Sequence, residues 1–215
     1  FAGSVTQDLS FSSSALQFGT QSGYTKVNYP GLSFTEKIGA PQLPEMCAQF
    51  VIPADAQVTG FTVSRVKEEP VSGSYLVFPG QYPQAWMDNS KQFPFVNPDP
   101  TYYAVDAPFP AQPAQYVDEG TKAGYRLASF LVYPVRYTPV TRVLSVGTSL
   151  PIKVNYAEHK VPVARRSEMQ NLVNGGAVAR LVLNPTDVTR FAPPRKTQSF
   201  GSAFLPAGTY EHVIL

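Results

Sequence analysis

Gly124-Tyr-Arg-Leu-Ala-Ser-Phe-Leu-Val-Tyr-Pro-Val-Arg-Tyr-Thr-Pro-Val-Thr-Arg-Val-Leu144 is the stretch whose reading decides the fold. An aromatic and β-branched run leads into Tyr137-Thr-Pro-Val-Thr141, and a second run follows through Val146, Ile152, Val154 and Tyr156. Such side chains suit a pleated, half-buried surface. The Thr-Pro pair supplies a turn, because proline presets φ and cannot donate to a ladder. The expectation is one long hairpin at the centre of an all-β fold.

Working outward, the rest of the chain has the same texture. Only 15% of its 215 residues are charged, while it holds 21 prolines, 12 tyrosines, 14 phenylalanines and 15 glycines. Proline breaks helix interiors, so this usage fits many short strands joined by turns. Strands are expected at Tyr24–Tyr29, through Phe50 to Pro53, over Val58–Val66 with a bulge at Gly60, and at Ser74–Phe78. Thr101–Val105 has a strand-like composition, and Asp118-Glu119-Gly120 reads as a turn. About ten such strands predict an antiparallel β-sandwich, jelly-roll-like, over residues 1–158. Residues 159–209 read as a connector with short helices and a linker. One helix is capped by Ser167 and stopped by Gly175-Gly176, and one turn of helix precedes Pro193-Pro194. Tyr210-Glu-His-Val-Ile-Leu215 reads as the first strand of a following domain.

Between Pro79 and Pro113 there are eight prolines and little regular pattern. A long irregular segment is either a functional loop or a strap packed on the sandwich, and proline lowers the entropy that stiffening it costs. Residues 79–98 are read as the presented part.

Several classes of chemistry find no support. The net charge of +2 gives no reason to expect a nucleic-acid partner, and no apolar run reaches the ~20 residues of a membrane span. No phosphate loop, dinucleotide fingerprint, zinc-protease helix or nucleophile elbow is present. Cys47, the sole cysteine, sits in a strand-like run and reads as a buried thiol. His159 and His212 have no third ligand type nearby, so no cofactor or metal is expected. The beginning, Phe1-Ala-Gly-Ser4, lacks methionine and a signal peptide, as a processed end of an exported protein would.

The order of pieces then carries a resemblance: an aromatic-ended strand, Gly39-Ala-Pro-Gln-Leu-Pro44, a strand ending in Ile52-Pro53, and later Pro134-Val-Arg-Tyr-Thr-Pro139. Over roughly residues 24–158 the chain resembles the N-terminal propeptide of gingipain-like cysteine peptidases, the C25 family. The resemblance implies a bacterial precursor that is secreted or located at the cell surface or in the periplasm, with a non-catalytic prodomain that assists folding and keeps its peptidase latent. The partner would be the catalytic domain, whose Cys and His lie outside this chain.

In basic-specific members a propeptide loop places a basic side chain in the specificity pocket. Here Trp86 stands at that position, with Met87 beside it and Lys91 the nearest basic residue. Trp86 either anchors the loop in an apolar pocket or packs on the sandwich itself. Arg126 is read as structural. Arg165-Arg166 and Arg195-Lys196 are candidate processing sites. The alternative function is a non-inhibitory surface module that binds glycan or protein through exposed Trp86, Tyr102 and Tyr103.

Overall fold

A computed structural model of the protein describes residues 1–64, 66–83, 93–159, 163 and 165–196. The first half runs β1 (Ala2–Leu9), a 3-10 turn (Ser13–Ala15), β2 (Gln17–Gln21), β3 (Tyr24–Asn28), β4 (Ser33–Phe34), β5 (Pro44–Ile52), β6 (Ala56–Val63) and β7 (Lys67–Val71). The second half runs α1 (Pro100–Tyr103), β8 (Ala114–Lys122), β9 (Tyr125–Val132), β10 (Val135–Thr138), β11 (Val143–Glu158), α2 (Glu168–Ala179) and α3 (Asp187–Arg190). All paired strands are antiparallel, and the architecture is the all-β sandwich expected.

β11 is the organising strand. Its first half pairs with β10 on one side and β7 on the other, and its second half pairs with β1 and β6. The opposing sheet has the order β4-β5-β9-β8, and β2 and β3 form a separate ribbon. Phe130 of β9 reaches across to Phe61 of β6 at 5.3 Å between ring centroids and meets Phe50 at 5.5 Å, both edge-on. Offset or edge-on rings avoid stacking like charge on like charge. These residues, with Ile52, Ile152, Val154 and Tyr156, form one buried cluster. A second cluster gathers Val27, Leu43, Val77, Val135, Tyr137, Leu144 and Val146.

The deciding stretch is therefore two strands in two sheets rather than one arm of a hairpin. β9 belongs to the first cluster and β10 to the second, and the chain crosses over at Tyr133-Pro134. Pro134 has no N–H, so the ladder with β5 and β8 ends there. Its carbonyl instead accepts from Gly147 N–H on β11 at 2.8 Å. The hairpin itself is β10–β11, turning at the Thr-Pro pair, with Arg142 at φ +57° and its N–H donating to Pro139 O.

Several expectations need correction. Asp118-Glu119-Gly120 lies inside β8, next to a bulge between Tyr116 and Asp118. The turn comes later, at Ala123-Gly124, where φ is +52° and +89° as a two-residue hairpin turn requires. Thr101–Tyr103 is helical, because Asp99 accepts from Thr101 N–H at 2.8 Å and Pro100 occupies the first helical position. Ser74–Phe78 contributes only an isolated bridge, Thr25 to Val77, while the charged, proline-containing β7 is a strand that pairs with β11 alone.

Cys47 is exposed rather than buried. Along β5 the even-numbered Ala48, Phe50 and Ile52 face the core, so Cys47 faces outward. Ser167 does cap α2, through a capping box with Gln170, yet the helix continues past Gly175-Gly176 to Ala179. A Cβ at Gly175 would come within 2.9 Å of the Tyr125 hydroxyl, so the glycine lets the helix lie against β9.

The bulge in β6 is present. Gly60 pairs with Asn155, but Val58 pairs with Tyr156, which leaves Thr59 as the extra residue.

Candidate functional site: the base of the 79–98 loop

Gly39-Ala-Pro-Gln-Leu-Pro44 forms a tight corner leading into β5, and both described ends of the 79–98 loop are fastened to it. Gly39 N–H donates to Gly80 O at 2.9 Å, Gly80 N–H to Ala40 O at 2.8 Å, and Gln42 N–H to Phe78 O at 2.8 Å. From the far end, Asp99 N–H donates to Gly39 O at 3.0 Å. Gly39 holds φ +76°, which favours glycine. A Cβ at Gly80 would run into the Lys37 carbonyl, so only glycine permits this approach.

Gln81 then ties the two ends together. Its Oε1 accepts from Val96 N–H at 2.8 Å, and its Nε2 donates to Val96 O and Pro79 O, both at 2.9 Å. The side chain thus copies a backbone pairing across the neck of the loop. Tyr82 and Phe93 pack at 5.2 Å on the outer side of this tie, each about half exposed. On the inner side Phe95 stacks on Tyr24 and meets Phe78 edge-on, both at 5.9 Å. A loop closed in this way spends less entropy when it is ordered by a partner.

Trp86, Met87 and Lys91 lie outside the described residues, on the segment that this neck closes. Tyr102 and Tyr103 are not the free aromatic faces expected. The Lys37 ammonium sits 4.8 Å over the Tyr102 ring, and the Tyr103 hydroxyl donates to Val77 O at 2.7 Å. Burial, reinforced by Tyr137 and Tyr24 nearby, pushes the Tyr103 phenol well above its ordinary range.

Two carboxylates on the sandwich are tied to arginines. Glu68 pairs with Arg136 at 2.7 Å and accepts from Ser145 at 3.0 Å. Glu119 pairs with Arg126 at 3.3 Å, which gives Arg126 the structural role expected of it. Among the described residues, no group of three His, Cys, Asp or Glu side chains could hold a metal. No helix among them is long and apolar enough to cross a membrane.

The two candidate processing pairs, thirty residues apart in sequence, meet. Arg166 N–H donates to Pro194 O at 3.0 Å, and Lys196 N–H donates to Arg166 O at 2.9 Å. Arg195 reaches Glu168 at 3.2 Å, while Asn171 donates to Pro193 O at 2.9 Å. Arg166 and Pro193 lie over Gly124, where any Cβ would be within 2.9 Å of the proline ring. The segment between the pairs folds over the free edge of β5: Leu183 N–H donates to Gln49 O, and Asn184 bonds both backbone groups of Val51.

Sequence reasoning missed Gln81 and Asn184. Each is a side-chain amide with both ends in use, and the only signal was a proline one or two residues on, Pro185 or Pro83, in a segment short of backbone donors.

The profile of the Propeptide_C25 family matches residues 10–181. A Lys-gingipain of Porphyromonas gingivalis is 28% identical over 138 residues, which cover 62% of this chain and 8% of that relative. Lys-gingipain HG66 of the same species is 27% identical over the same length. The chain therefore spans about 8% of the length of the curated relatives it matches. Among solved structures, the complex of Porphyromonas gingivalis RgpB pro- and mature domains superposes with a TM-score of 0.63 at 17% identity, covering 85% of this chain and 93% of that one. A structure described as giving insight into the zymogenic latency of gingipain K superposes at 0.56 with 22% identity, covering 74% and 100%. Identities this low speak for the fold alone, but the match over residues 10–181 speaks for descent: the chain belongs to the Propeptide_C25 family, a family of prodomains rather than of catalytic domains.

Proposed function

We propose that this domain keeps a gingipain-like cysteine peptidase latent by presenting the 79–98 loop around Trp86 to the active-site cleft. The observation that carries the reading is the neck: Gln81 and Val96 paired through two hydrogen bonds, backed by the Gly39–Pro44 corner. A substrate-like inhibitor needs a segment held at both ends and turned outward, and the exposed Tyr82–Phe93 pair marks the outer side of the neck.

Within that segment Trp86 is the anchor, filling an apolar pocket where basic-specific relatives use a charged residue. Met87 and Lys91 flank it as secondary contacts. The partner is the catalytic domain of the same precursor, exported to the bacterial surface or beyond. The sandwich also serves as a template on which that domain folds. Release follows cleavage at Arg165-Arg166 or Arg195-Lys196.

The test mixes this chain with its separately expressed catalytic domain and measures peptidase activity. Inhibition by the unaltered chain, and at least tenfold weaker inhibition by Trp86→Ala at unchanged thermal stability, is the expected result. Equal inhibition by both would remove Trp86 as the anchor. No inhibition by either would remove the latency reading. Refolding yield of the catalytic domain with and without the chain checks the template role.

A further inference from the structure

The two basic pairs, thirty residues apart in sequence, are joined in the structure. Arg166 is bonded through its N–H to Pro194 and through its C=O to Lys196, so each pair is the other's backbone partner. Ser167 begins the capping box of α2 immediately after Arg166. Arg195 is held to Glu168 and its neighbour Pro193 to Asn171, both on the first turn of the same helix. A protease takes its substrate as an extended segment and pairs with its backbone. The bridge takes up both backbone groups of Arg166 and the N–H of Lys196, so neither pair presents a complete extended edge while it is closed.

We propose that Arg165-Arg166 and Arg195-Lys196 form a single coupled processing site, locked by their mutual bridge and opened as a unit. Cleavage at either pair requires the same local opening, and the rate of each follows the population of that one open state. Once water has been added across either the Arg166–Ser167 or the Lys196–Thr197 bond, leaving a carboxylate and an amine, the bridge loses its covalent frame. The second bond then becomes the faster target.

The double cut frees residues 167–196, and with them the buried Val178, Val182, Val188 and Phe191. It also strips the partners from Gln49 O and from both backbone groups of Val51. A prodomain cut in this way cannot restore its own edge, so release is one-way. That consequence rests on the latency reading, whereas the coupling does not.

The experiment is limited trypsin digestion of the full chain, with mass spectrometry assigning each cut. Trypsin replaces the natural protease, so the result stands apart from any assay of latency. The unaltered chain should pass from intact to doubly cut at these pairs, with little of either singly cut form. Asn171→Ala, which removes the side-chain bond to Pro193 O and keeps the backbone bonds to Ser167 and Tyr125, should raise the rates at both pairs together, by about five- to tenfold. Glu168→Gln, on the surface, should raise both by a smaller common factor, and it carries the test if Asn171→Ala lowers the melting temperature enough to unfold. Accumulation of a singly cut form, a rise at 195–196 alone, or no change in either variant would overturn the proposal.

Discussion

Asn184 stands beside Val51 as the next strand of the sheet would. Its Oδ1 accepts from Val51 N–H and its Nδ2 donates to Val51 O, both at 2.9 Å, and a further bond to Asp187 fixes the amide. Only 4% of the residue is exposed, so water cannot take over these bonds. One side chain closes the edge of β5 that the two-residue β4 leaves open.

Asn184→Ala should therefore cost more than a typical surface change. It strands a buried donor and a buried acceptor, which amounts to about 3 kcal/mol. Urea unfolding of the two proteins measures this directly. A difference below about 1 kcal/mol would mean that the edge is satisfied in another way.

Gln81→Ala separates the neck from the scaffold. The amide is only part-buried, so the melting temperature should fall by no more than a few degrees. The inhibition constant against the catalytic domain should rise roughly tenfold as the 79–98 loop loses its tie. Gln81→Glu is the sharper control, since it keeps the acceptor for Val96 N–H but removes both donations.

Three tyrosines should resist ionisation while the protein is folded. Burial raises the phenols of Tyr103, Tyr125 and Tyr137, and Tyr103 and Tyr137 also donate to backbone carbonyls. A folded-state pKa above the unfolded value means that the folded protein holds more protons in that window. Stability is accordingly unaffected below about pH 10 and falls as pH rises beyond it. Absorbance at 295 nm should show these three phenols ionising only together with loss of the near-UV circular dichroism signal. A single smooth titration with the fold intact would contradict the burial.

Cys47 supplies an inexpensive check on which face of β5 looks outward. Its exposed thiol should react with Ellman's reagent in the native protein as fast as an unhindered thiol does, with one equivalent released. A reaction that waits for denaturant would place the even-numbered and odd-numbered residues of β5 on the wrong faces.

The sheet-forming character of the chain was legible because branched and aromatic residues cluster between proline and glycine corners. Gly39–Pro44, the turn at Thr138-Pro139 and the Ser167 cap all read correctly, since each depends on local backbone chemistry. The failures are those in which a distant partner decides. β1 was unreadable because only Val5 of its eight residues is buried, and the rest of its stabilisation is ladder bonding to β11. Gly175-Gly176 signals a helix end, but contact with Tyr125 overrides it. At the candidate site the proline-rich loop announced itself, whereas Gln81 did not, because a clamp between residues 81 and 96 has no sequence period.

β11 gives the prodomain a mechanical property. Its sixteen residues are one unbroken strand, about 50 Å at ~3.3 Å per residue, and both buried clusters are built on it. The loop neck rests on the cluster around Val77 and Leu43, and the clasp of basic pairs closes over the cluster around Phe130 and Val178. Between them the ladder partners of β11 change over: β10 leaves at Val146, β7 slips register between Gly147 and Ser149, and β1 joins at Leu150. The domain is thus a beam of two stiffened halves with one joint at Gly147–Ser149, and any bending between the loop neck and the clasp is concentrated there.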